Sequence, residues 1–154
     1  MDETIWKPHT TVAAMCERDG HFLLVKEKVN GKVVFNQPAG HLNPDESLLD
    51  AVIRETFEET QYEFNPTGLQ GIYHFVPEEA PETTYIRFLF CGDAGSQLNG
   101  ALDEGIISAE WMNYDEIRSC REQHRSPLVL QGIDDYLSKP PYPLDVISQI
   151  FPDR

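Results

Sequence analysis

Residues 40–62 read GHLNPDESLLDAVIRETFEETQY. A loop holding Gly40 and Pro44 gives way to a run with helical periodicity, and the spacing predicts a helix of roughly four turns from about Glu46 to Gln61. At about 100° per residue, Leu49, Val52, Ile53, Thr56 and Thr60 share one arc. Glu55, Glu58 and Glu59 gather within about 100° beside that arc, so their carboxylates are expected to rim the core. Two starts are compatible with the residues. Asn43 caps with Pro44 first and Glu46 third, or Ser47 caps with Asp50 three residues on.

The three glutamates work against the helix. Glu55 faces Glu58 at i,i+3 and Glu59 at i,i+4, and each such like-charge pair destabilises a helix by roughly 0.2–0.5 kcal/mol. They also sit toward the C-terminal end, where the macrodipole favours cations. Arg54, four residues before Glu58, offsets part of this. A divalent ion such as Mg²⁺ or Mn²⁺ would reverse the balance, because hard cations seek carboxylate oxygens. A solvated acidic face is the plain alternative for an isolated E-x-x-E-E.

The surrounding residues favour the metal. The stretch resembles the Nudix box, G-x5-E-x7-R-E-U-x-E-E-x-G-U with U a bulky aliphatic, and Gly40, Glu46, Arg54, Glu55, Glu58 and Glu59 match at the required spacing. Six fixed positions over twenty residues make the match specific. Thr56, Gln61 and Tyr62 depart from the pattern, and none of them replaces a carboxylate. Gln61 stands where a glycine would supply left-handed φ, at a cost of roughly 1 kcal/mol, so lost stability or a differently ended helix is expected. Farther out, KPHTTVAA, FNQPAGHL, YIRFLF, RSPLV and YPLDVI resemble, in order, the NudJ-like phosphatase subgroup of Nudix hydrolases.

The superfamily resemblance implies an α/β/α sandwich with a mixed β-sheet, and Mg²⁺-dependent hydrolysis of diphosphate bonds with Mn²⁺ as a substitute ion. The subgroup resemblance implies nucleoside di- and triphosphates, hydroxymethylpyrimidine diphosphate or thiamine diphosphate as substrates. By resemblance Glu55, Glu58 and Glu59 are metal ligands, directly or with one acting through water, and Gly40 either adds its carbonyl or is a plain turn glycine. Arg54, which keeps its proton, is assigned to orient Glu58 or Glu46, with a simple surface ion pair as the alternative. Glu104, with Asp103 beside it, occupies a loop where many Nudix enzymes carry a further acid, and it shares the general-base role with a box glutamate as the alternative. Arg87, alternating with Ile86 and Phe88 in a strand, reaches either a substrate phosphate or a cross-strand acid. A Nudix-fold binding module without catalysis is the competing function.

The rest of the chain is consistent with a mixed α/β domain spanning 1–154. TVAAMCE and HFLLVKEKV read as a hairpin about Arg18-Asp19-Gly20, and a second turn follows at Asn30-Gly31. VVFNQPAGHLNPDES reads as irregular, while LQGIYHFV, TYIRFLFCG and AEWMN read as strands. Helices are expected near Asp115 and from Ser126 toward Leu137, with a last short piece in YPLDVISQIF. A net charge of −14 disfavours nucleic acid as a partner, which leaves a small-molecule diphosphate. Cys16, Cys91 and Cys120 show no disulfide or zinc spacing, and no apolar run approaches a membrane span, so the chain is expected to be cytoplasmic. His9, His41 and His74 are scattered and lack metal spacing, and Trp6, Phe35 and Tyr85 are assigned to core or rim packing, with stacking on a heteroaromatic ring as the alternative.

Overall fold

The structure is a computed structural model and describes residues 4–152; residues 1–3 and 153–154 of the expected domain lie outside the described residues. Two short turns organise its first half. Asp19 and Gly20 have φ of 50° and 77°, and Asn30 and Gly31 have 50° and 79°. Successive positive φ values fit the right-handed twist of flanking strands, so these pairs join β1 (His9–Arg18) to β2 (His21–Val29) and β2 to β3 (Lys32–Asn36).

The first hairpin is brief. β1 and β2 pair through Glu17↔Phe22 and Arg18↔His21 and then diverge. β1 runs parallel to β6 (Tyr85–Gln97) and antiparallel to β4 (Ala39–His41). β2 lies between β3 and β7 (Ile106–Asn113). β5 (Tyr62–Phe75) completes the order β3-β2-β1-β6-β5 by pairing antiparallel with β6. The sheet is therefore mixed, as expected. The segment read as irregular is not wholly so: Val33–Asn36 lie in β3 and Ala39–His41 form β4, because β2 and β1 supply ladder partners that no local signal reveals.

Strand alternation sends successive β1 side chains to opposite faces. Val12, Ala14 and Cys16 pack with Leu23 and Phe90 against Ala51 and Val52 of α1 (Leu48–Thr60). Ala13 and Met15 pack with Leu89 on the other face against Ile117 of α2 (Tyr114–Ser119) and Val129 and Ile133 of α3 (Leu128–Ser138). The result is the α/β/α sandwich. Each fully buried Val, Leu, Ile, Met or Phe here contributes about 1.5–3 kcal/mol, and each alanine less. Leu144–Val146 form a short 3₁₀ turn, and no helix among the described residues is long and apolar enough to cross a membrane.

Helix α1 is placed by its ends. Ser47 is the N-cap: its Oγ accepts from the Asp50 N–H at 2.9 Å. Asn43 lies one turn upstream, where its N–H donates to Glu46 Oε1. Thr56, in place of a bulky aliphatic, is fully buried and donates its hydroxyl to Val52 O at 2.7 Å, so its polarity is satisfied within the helix. Ile53, assigned to the apolar arc, is 38% exposed, because α1 turns Ala51 and Glu59 inward instead.

Gln61 ends the helix as a glycine would, with φ 63°. Its side chain offsets the strain: Nε2 donates to Phe57 O and Ala101 O, and Oε1 accepts from Gly100 N–H. Gln61→Gly is expected to destabilise the protein by about 1 kcal/mol, since roughly 1–2 kcal/mol of relieved φ strain is set against three hydrogen bonds of about 0.5–1.5 kcal/mol each. Denaturant unfolding measures the balance; a gain in stability would show that the bonds contribute little.

Candidate active site

The exposed loop before α1 and the last turns of α1 converge on one guanidinium. Arg54 Nε and Nη2 bind Glu46 bidentately at 2.6 and 3.0 Å. Nη1 donates to Glu55 Oε1 at 2.7 Å and Glu58 Oε2 at 3.2 Å, and Nη2 also donates to His41 O at 3.0 Å. All five donors of the group are thereby used. Arg54 orients Glu46 and Glu58 together, and Glu55 besides. The Arg54 hydrogen bond holds the Glu46 carboxyl below its ordinary range, and the same contact keeps Arg54 firmly charged.

One cation cannot neutralise what surrounds it. Burial raises the Glu55 pKa despite Arg54, and burial pushes Glu59 up to about 8 despite a hydrogen bond from Ala39 N–H at 2.9 Å. Oxygens of Glu55, Glu58 and Asp103 lie within 4.8 Å of one another. Asp103 reaches this place because its N–H donates to Glu58 O at 3.0 Å, which ties the loop before β7 to the C-terminal part of α1. Glu104, one residue on, is exposed and stands outside that group. Asp103 was marked in the sequence only as a neighbour of Glu104. No local signal separates the two; the backbone bond across 45 residues does.

Gly40 closes the other side. A Cβ placed there would collide with the Glu55 carboxylate, so the loop and the helix approach as closely as they do only because the side chain is absent.

Arg87 projects from β6 to the α3 face and is 7% exposed. It donates to Gln37 Oε1 at 2.7 Å and, more weakly, to Asn36 Oδ1 at 3.4 and 3.5 Å. Burial lowers its pKa to about 10. No carboxylate among the described residues lies in salt-bridge range of it, and the side chain is buried. Gln37, fully buried, donates onward to Val129 O at 2.8 Å and so braces α3 to the loop that carries Gly40. His9 and His41, read as scattered, come together with ring nitrogens 3.3 Å apart. His74 is exposed on β5, Trp6 is 62% exposed, Phe35 packs in the core and Tyr85 stacks against His9. The three thiols are free.

A hard, oxygen-only donor set with more negative charge than its single arginine can balance suits Mg²⁺ or Mn²⁺, and the residues present fit such an ion.

A sequence model of the NUDIX domain matches residues 7–131. The phosphatase NudJ of Escherichia coli K12 is 37% identical over 145 residues, covering 94% of this chain and 93% of that protein. Among solved structures, a NUDIX hydrolase from Nitrosomonas europaea superposes with a TM-score of 0.90 at 46% identity, over 94% of this chain and 98% of that one. A MutT NUDIX hydrolase from Burkholderia pseudomallei shares the fold at 17% identity, with a TM-score of 0.71 over 84% and 98% of the two chains.

Proposed function

Since the chain belongs to the Nudix family and is a Nudix hydrolase with NudJ phosphatase as a homologue, we propose that it hydrolyses diphosphate bonds of small molecules with Mg²⁺, or Mn²⁺ in its place. The substrate classes put forward are nucleoside di- and triphosphates, hydroxymethylpyrimidine diphosphate and thiamine diphosphate. The observation that carries the reading is the carboxylate cluster with oxygens within 4.8 Å.

In this reading Glu55, Glu58, Glu59 and Asp103 hold the ion, with the Gly40 carbonyl beside them. Bound there, such an ion would supply neutralisation of phosphate charge and a lowered pKa for a water. The chain's own residues do the rest. Arg54 locks Glu46, Glu55 and Glu58 in one orientation, so that their geometry is fixed before substrate arrives. Glu58, with its side chain 38% exposed, is the box glutamate most open to a water and is assigned the proton-accepting role. Of the two loop acids, Asp103 is the better placed and Glu104 the alternative. Arg87, being covered, acts as a positioning residue through Gln37. The competing binding module has no specific observation in its favour, as Arg54 and every box glutamate are in place.

The test is release of phosphate or diphosphate from a panel of these substrates with Mg²⁺, with and without EDTA. Activity abolished by EDTA supports the reading, and no release from any substrate overturns it. Asp103→Asn is expected to lose roughly a hundredfold in kcat/KM, by analogy with removal of one preorganised electrostatic group. Glu104→Gln should stay within about twofold, as surface changes do. The reverse ranking would restore Glu104 to the site.

A further inference from the structure

A cavity of about 650 Å³ opens beside the end of β5, the 3₁₀ turn at Arg121–Gln123 and the start of α3. Phe75, Val76, Pro127 and Leu130 give it an apolar wall, and Arg125 also lines it. Arg125 is fastened at both ends. Its backbone N–H donates to Phe35 O at 2.7 Å, and Nη1 donates to Glu27 Oε1 at 2.7 Å. Glu27 is itself buried and pairs with Ile106 of β7, and the neighbouring Lys28 N–H donates to Gly105 O at 2.9 Å. The loop held in this way carries Asp103, whose N–H donates to Glu58 O at 3.0 Å. Arg125 therefore lines the cavity and, through Glu27, is tied to the strand that leaves the carboxylate cluster. Its side chain is 46% exposed, whereas Arg87 behind it is covered.

A diphosphate monoester has to bring an anionic end to the carboxylates and leave its organic end elsewhere. Carboxylates alone repel that anion, and the one arginine among them, Arg54, has every donor engaged. Arg125 has donors left beyond its single side-chain bond to Glu27. Elsewhere in the lining Glu78, Glu79 and Asp134 outnumber the one further arginine, Arg121, so the rest of the cavity favours an uncharged or cationic group over a second anion.

We propose that Arg125 holds a substrate phosphate at the boundary between this cavity and the carboxylate cluster, while the cavity seats an uncharged or cationic organic group. The inference rests on the diphosphatase reading and extends it to a residue and an orientation.

The experiment compares wild type, Arg125→Gln and Arg125→Lys on ADP and thiamine diphosphate, with inorganic diphosphate as a competitor that has no organic end. Arg125→Gln is expected to raise KM roughly tenfold or more, the amount a charge-assisted hydrogen bond is worth, with kcat within about twofold. The inhibition constant of inorganic diphosphate should rise in parallel, and Arg125→Lys should recover part of both. A role confined to fastening Phe35 and Glu27 would leave the diphosphate constant unmoved and overturns the proposal, as does an unchanged KM. Should Arg125→Gln fail to fold, Arg125→Lys decides alone: a several-fold rise in both constants supports the proposal, and wild-type values overturn it. Wild type inert on every substrate would instead defeat the diphosphatase reading itself.

Discussion

Glu58→Gln lowers kcat/KM by about a thousandfold with the fold intact. The side chain keeps its shape and its place beside Arg54, 3.2 Å away, and loses only its charge. That charge is asked to supply several kcal/mol, either by holding the ion or by taking the proton, and each 1.36 kcal/mol is about tenfold in rate. Stability should change little, because the Arg54 contact is one of five and the side chain is partly exposed. Steady-state kinetics at saturating Mg²⁺, beside a thermal unfolding curve, separates the two effects. Equal rates for variant and wild type would remove Glu58 from the chemistry.

Gly40→Ala loses at least about a hundredfold in kcat/KM, though it removes no charged group. The new methyl occupies the space of the Glu55 carboxylate, and neither party yields cheaply. Glu55 is held by Arg54 at 2.7 Å, and Gly40 is held in β4 by its pairing with Val12 of β1. Displacing a positioned group by about 1 Å costs on the order of a hundredfold in catalysis. Metal affinity should fall together with kcat/KM, which distinguishes this loss from general destabilisation. An alanine variant with wild-type activity and metal affinity would mean that the loop relaxes freely and that the close approach is incidental.

What the sequence discloses about this protein follows the range of the forces involved. Helix α1 is legible because its spacing is local: Ser47 and Asp50 are three residues apart, and Glu55, Glu58 and Glu59 share a face by periodicity alone. The turns at Asp19-Gly20 and Asn30-Gly31 are legible for the same reason. The divergence of β1 from β2 is not, since it depends on β4 pairing with Thr11, Val12 and Ala13 along the edge that β2 leaves, while β6 covers the opposite edge. The orientation of Arg87 follows from strand alternation, yet its partner Gln37 lies 50 positions away and is itself bonded to Val129 of α3. Asp103 is tied to Glu58 by one backbone bond across 45 residues, and Arg125 meets Glu27 across 98 positions. The box spacing places the glutamates; these longer contacts come from topology.

These carboxylates are expected to bind a divalent cation. Titrating Mn²⁺ into the protein and reading free ion from its paramagnetic resonance signal tests it without reference to any substrate. Wild type should deplete the free signal saturably, and the Glu55→Gln, Glu58→Gln double variant should leave it close to that of buffer. Identical depletion by the two proteins would contradict the account, because the ion would then be held by the general acidity of the surface and not by this site.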